Sequence, residues 1–165
     1  MALGNLNRLD LPAALYAEII VPSAVYEEVV TQGFARGAPD ALTVRLFLER
    51  RRWPIVEVPD DVLSSYTPPV VLDPGELEVL ALARVRADPL LLLDDEVARV
   101  EARRLGLRVC GTLGILVRAY RKHLHSFDQL ELLVQEIAAR PDIWIASRLC
   151  QAVLDSAREA PQDLG

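Results

Sequence analysis

LLLLDDE, residues 90–96, is a short apolar run that stops at two adjacent aspartates. Pro89 stands before it and a helical pattern comes after, so residues 90–93 read as a strand buried on both faces of a parallel sheet. Such a strand carries Asp94 and Asp95 to the carboxyl edge, outside which open α/β sheets bind their ligands. Capping the next helix needs only one of the two carboxylates. That helix spans 95–105 and closes at Gly106. Residues 107–110 form the next strand, and Gly111-Thr112 opens a helix to about residue 123.

Upstream, residues 18–21 read as a strand, 22–31 as a helix with Pro22 in its first turn, and 40–52 as a helix closing in arginines. PIVEVP, residues 54–59, alternates like a strand, and 64–70 is a loop. Asp73-Pro74-Gly75-Glu76 carries the start signals of a helix reaching Arg86: an N-cap, a first-position proline and a capping-box acid. Ser126 caps a helix to residue 138, and 146–159 is the last helix. Strands alternating with helices predict an α/β domain with a mostly parallel sheet. The 165 residues suit a single domain, 1–165, with a remnant N-terminal helix in 1–17 and a C-terminal helix and tail in 146–165.

A composition 52% apolar but only 5% aromatic calls for an aliphatic core, and a net charge of −6 excludes a general nucleic-acid-coating protein. Cys110 and Cys150 are isolated, so neither a disulfide framework nor a structural zinc is expected, and a reducing cytoplasm is the expected compartment. Asn5, Arg8 and Asp10 interrupt the opening apolar runs, and no stretch approaches the roughly 18 apolar residues of a membrane span. His123 and His125 read as surface residues.

Three acidic constellations remain. Glu27 and Glu28 fall early in a helix, where the macrodipole alone favours them. Glu76 is accounted for by the capping box. Glu78 shares its face with Ala81, Leu82 and Val85, and a carboxylate on an apolar stripe needs a partner or a cation. With Asp94 and Asp95, these acids from separate elements, unaccompanied by cysteine or histidine, suit a hard cation, Mg²⁺ or Mn²⁺, and phosphodiester hydrolysis. Arg99, four residues after Asp95 on one helix, is placed to pair with it. Arg99, Arg118, Arg121 and Lys122 flank this acidic edge in sequence and are the candidates for contacts to phosphate groups.

IIVPSAVYEEV, LDPGELEVLALA, LLLLDDEVAR and GLRVCGTLGIL, in that order, resemble the PIN-domain superfamily, specifically its VapC-like branch described only as a domain of unknown function. The resemblance implies a three-layer α/β/α domain and a metal-dependent endoribonuclease, often the toxin of a toxin–antitoxin pair. It assigns metal-site roles to Glu28, Glu78 and Asp94, with Asp95 beside them and Thr112 as a bordering hydroxyl. It also implies an RNA substrate, an antitoxin partner and a homodimer. Family members begin with a central strand ending in an Asp-Thr-Ser-Pro-Leu-like motif whose aspartate is a metal ligand. This chain opens with MALGNLNRLDLPAALY, resembling the segment just after that motif, and Leu6, Leu9 and Leu11 suggest a helix. The expectations are therefore a missing central strand from a shortened reading frame, two unpaired sheet edges and impaired catalysis. A non-catalytic PIN-like interaction and dimerisation module is the alternative. LLLLDDE also resembles the first strand of a response-regulator receiver domain, but the mostly helical remainder lacks the further strands that fold requires.

Overall fold

A computed structural model describes residues 2–159; the tail 160–165 lies outside the described residues. Strand β3 (Leu90–Leu92) pairs in parallel with β4 (Arg108–Cys110), with Leu91 opposite Val109. Parallel neighbours need a crossover, and α7 (Glu96–Arg104) supplies it. Asp95 caps α7 by accepting the Ala98 N–H at 2.9 Å, and Gly106 ends it at φ +72°, as expected. Leu91 and Leu93 pack with Leu80 and Ala81 of α6 (Pro74–Arg84) and with Ala98 of α7. Leu90 and Leu92 turn to the opposite core, built on Ile115 and Leu116 of α8 (Thr112–Arg121), Leu130 of α9 (Phe127–Ala139) and Leu154 of α10 (Ser147–Glu159). Alternation along one strand thus feeds two helical layers, giving the α/β/α architecture and explaining why all four positions are leucine. Leu3, in the turns that open the chain, and Leu11 of α1 (Asp10–Leu15) complete that second core.

A separate parallel pair, β1 (Val21–Pro22) with β2 (Ile55–Val56), sits on α2 (Ser23–Tyr26), a π-helical turn (Glu27–Thr31), α3 (Gln32–Ala35) and α4 (Ala41–Arg51). These strands are shorter than the apolar runs 18–21 and 54–59 because prolines border and enter them: Pro22 has no N–H, and Pro54 offers only its carbonyl, which accepts from Val21 N–H at 2.9 Å. The core beneath is small, centred on Val30, Val44 and Leu48. A short helix, α5 (Asp60–Ser64), arises in a stretch to which the sequence assigned no element; Pro59 precedes it, and two aspartates occupy its positively polarised first turn. The capping box at Asp73 and Glu76 forms as expected, but α6 ends at Arg84, not Arg86.

Among the described residues, the two strand pairs are not joined into one sheet. Helix α6 packs against both β1 and β3 and so holds the pairs together. Between them lies a cleft of about 2720 Å³, lined by residues 19–22 on one side and 90–93 on the other.

Both cysteines are buried and unbridged. His125 departs from expectation: it is only 5% exposed, with Nε2 3.0 Å from the Leu116 carbonyl and Nδ1 3.1 Å from the Ser126 carbonyl. The left-handed turn at His123, φ +57°, folds the chain back so that His125 meets the Leu116 carbonyl midway along α8 instead of solvent. The described residues contain no helix long and apolar enough to cross a membrane.

Candidate functional site

The carboxyl ends of β3 and β4 deliver Asp94, Asp95 and Thr112 to one rim of the cleft. Asp94 is fully engaged there. Its Oδ1 accepts from the Thr112 N–H at 2.7 Å, and its Oδ2 accepts from the Thr112 hydroxyl and the Ala2 N–H, each at 2.8 Å. Thr112 is wholly buried and opens α8, so the carboxylate also meets the positive end of that helix. Gly111 makes this junction fit. A Cβ there would lie 3.1 Å from Asp94 Oδ1, 3.2 Å from Arg99 Nη1 and 3.3 Å from the Leu93 carbonyl.

Those distances bring the Arg99 guanidinium to the Gly111 side of the rim. Among the described residues no ion pair joins it to Asp95; the two share only the helical bond from Arg99 N–H to the Asp95 carbonyl. Asp95 spends its side chain on Ala98, while Arg99 Nε is buried with no hydrogen-bond partner. The expected pairing within one helix thus gives way to the capping bond.

Glu28 and Glu76 front the same cleft from the other side. Glu28 lies in the π-helical turn, whose wider winding is marked by the bond from Gln32 N–H to the Glu27 carbonyl. Its Oε2 would stand 3.0 Å from a Cβ on Gly75, so the missing side chain lets α2 and its π extension close onto α6. Burial holds the Glu76 carboxyl above the usual range; the Asp73 N–H opposes this, and the negative charges of Asp95, Asp73 and Glu28 add to it. Glu28, Asp73, Glu76 and Asp95 therefore form one acidic neighbourhood. Asp73 escaped the sequence reading as a site residue because its capping role explained it; its spacing to Glu76 was the available signal.

Glu78 lies apart from this neighbourhood. Its Oε2 accepts the Ala24 N–H at 2.7 Å and the Ser23 hydroxyl at 3.2 Å, so it caps the amino end of α2 and does not line the cleft. The apolar stripe beneath it is real, and the partner it needed is a helix end.

Arg118 lines the cleft and donates to the Tyr16 hydroxyl at 3.1 Å. Burial raises the Tyr16 phenol above its ordinary value, against the Arg118 charge. Arg121 and Lys122 are exposed at the far end of α8, about 15 Å along its axis from Thr112. Burial likewise pushes the Cys110 thiol up, which suits packing over nucleophilic attack.

Parallel strands under two helical layers, with acids and a buried threonine at their carboxyl ends, define an α/β domain of the kind that carries its chemistry at that edge. A PIN-domain family model matches residues 1–159, and the chain belongs to that family. Comparison with curated proteins and with solved structures gave no match.

PIN domains generally use divalent metals. The acids as placed do not fit such an ion, since no three His, Cys, Asp or Glu among the described residues gather as a ligand set. Glu78 and Asp94 instead face backbone amides and hydroxyls at helix starts.

Proposed function

We propose that the acidic rim is the hydrolytic edge of a VapC-like endoribonuclease, of the toxin type, whose cleavage of RNA phosphodiesters is impaired in this chain as it stands. The supporting observation is that acids from three separate elements, Glu28, Glu76 and the Asp94-Asp95 pair, front one cleft. Impairment is argued from the same rim, where Asp94 is held as a helix cap and Glu78 lies elsewhere. RNA is the proposed substrate, Mg²⁺ or Mn²⁺ the proposed cofactor of the competent form, and an antitoxin and a second copy the proposed partners. Cleavage of labelled RNA with Mn²⁺ tests this, comparing the chain as it stands with one given an N-terminal apolar strand ending in aspartate. The extended chain should cleave faster, and Asp94→Asn should abolish the gain. Equal cleavage by both forms ends the idea of impairment, and cleavage by neither ends the nuclease reading.

The second reading, a non-catalytic interaction module, is favoured by the full engagement of Asp94 and Glu78 in capping. Calorimetry separates the two: the module binds no Mn²⁺ in either form.

A further inference from the structure

Residues 143–145, between α9 and α10, alternate in burial: Ile143 is buried and Ile145 packs against the same core, while Trp144 turns the other way. Trp144 lines the cleft and is 94% exposed, and among the described residues no hydrogen bond or ring contact engages its indole. Indole rings are on average highly buried, so this one departs from the rule. Its segment is nonetheless held in place. Arg140 donates to Asp142 at 2.6 and 2.9 Å and to the Asn5 carbonyl at 3.0 Å, and the Asn5 amide donates to Asp142 at 3.2 Å. Asn5 lies in the turn closed by the bond from Leu6 N–H to the Ala2 carbonyl, and Ala2 is bonded to Asp94. About 5 Å of backbone and two polar links therefore tie the Trp144 segment to the acidic rim.

Unmatched cations line the same cleft. Among the described residues Arg99, Arg118 and Arg148 form no ion pair, whereas Arg103, Arg108 and Arg140 of the same lining are matched by Glu96, Asp88 and Asp142. Arg118 meets the neutral Tyr16 hydroxyl, and Arg99 Nε is buried without an acceptor. Arg148 follows Trp144 by four residues, in the first turn of α10, where the helix dipole disfavours a cation. Its place is not explained by the stability of its own helix.

We propose that Trp144 is a stacking platform for an unpaired nucleobase, so that the cleft takes single-stranded RNA, its phosphates on Arg148, Arg118 and Arg99. A bare aromatic face beside uncompensated positive charge is the chemical complement of a single strand, whose bases stack on rings and whose phosphates pair with arginine. The indole supplies a choice that charge does not. Arginines hold the phosphates of any strand, whereas a ring is covered only by a base free of its own partner. At about 2720 Å³ the cleft exceeds the roughly 300–1,000 Å³ of small-molecule sites, so it suits a run of nucleotides over a free one. The inference rests on RNA being the ligand of this cleft, the reading proposed above.

The test measures binding without turnover, from the anisotropy of labelled oligonucleotides in EDTA over a series of salt concentrations. The probes are a short single-stranded RNA, an abasic strand of the same length, and the matching RNA duplex. Trp144→Ala should weaken the single strand by on the order of tenfold to a hundredfold, and Trp144→Phe should restore most of that loss. The abasic strand and the duplex, which offer phosphates but no free base face, should bind both variants and the unmodified chain alike. Arg148→Gln should instead weaken all three probes and lower the salt slope by roughly 0.7–0.9. Because Trp144 is exposed, its variants should keep the thermal melt of the unmodified chain. Equal binding of the single strand by the unmodified chain and Trp144→Ala overturns the platform and leaves the hydrolytic reading standing. Equal sensitivity of the abasic strand to Trp144→Ala overturns it too, because the indole is then not contacting bases. Binding of no RNA by the unmodified chain overturns the RNA reading and the platform with it. Self-association in sedimentation that Trp144→Ala abolishes, with no effect on RNA, assigns the indole to a protein interface and overturns the platform.

Discussion

Glu101 is a buried carboxylate whose hydrogen bonds exist only while the fold holds them together. It is buried within α7, takes both Arg104 bonds at 2.7 Å, and accepts from the Tyr66 hydroxyl. The Arg104 bonds, with help from Tyr66 and against burial, hold Glu101 down at about 2, while burial and Glu101 push the Tyr66 phenol up to about 12. A carboxylate depressed in the folded state stabilises it fully above its ordinary value and less as pH falls toward the folded value. The contribution should therefore fade between about pH 5 and pH 2. Glu101→Gln should cost about 1–2 kcal/mol at pH 7, discounted because Arg104 is half exposed, and should flatten the acid limb of a denaturation series. An unchanged acid limb would contradict this role. Glu78→Ala should lose about 1–2 kcal/mol by urea titration, because the α2 amides lose their cap. A neutral or stabilising outcome would instead mark Glu78 as an uncompensated charge. Asp94→Ala should cost more, about 2–3 kcal/mol, since it strands the buried Thr112 donors and the Ala2 amide together.

Helix starts and close approaches govern the elements. Gly75→Ala inserts a methyl 3.2 Å from Val25 Cγ2 and 3.0 Å from Glu28 Oε2, so those two side chains must give by a few tenths of an ångström where α2 and its π extension meet α6. A thermal melt should fall by several degrees; an unchanged melt would show that the two helices tolerate the shift. Elements with local signals were legible in the sequence: the capping box at Asp73, the cap at Ser126, the glycine stop at Gly106, and the four-leucine strand that feeds two cores. What depends on tertiary context was not. The π winding that carries Glu28 has no periodic signature, and His125 is buried only because the turn at His123 aims it inward. For the candidate site, sequence located the rim acids but not their division of labour. A carboxylate looks the same in a string whether it will hold a cation or a neighbouring helix, and only packing sent Glu78 to Ser23 and Ala24.

At the scale of the molecule, three hydrophobic clusters of unequal size hold the fold, and α6 joins the lobe of the smallest to the rest. The β1–β2 lobe closes over Val30, Val44 and Leu48 alone, whereas β3 and β4 lie between two large clusters. Hydrogen exchange should accordingly open the α2–α4 region at lower free energy than α8 and α9; uniform protection throughout would refute this hierarchy. The largest cluster has a second property. It joins Leu3 and Leu11 from one end of the chain to Cys150, Leu154 and Ala157 from the other. On a ribosome adding about 5–20 residues per second, the opening leucines wait on the order of ten seconds for their partners to emerge. For that interval, the aliphatic side chains around Leu3 and Leu11 lack the helix that finally covers them.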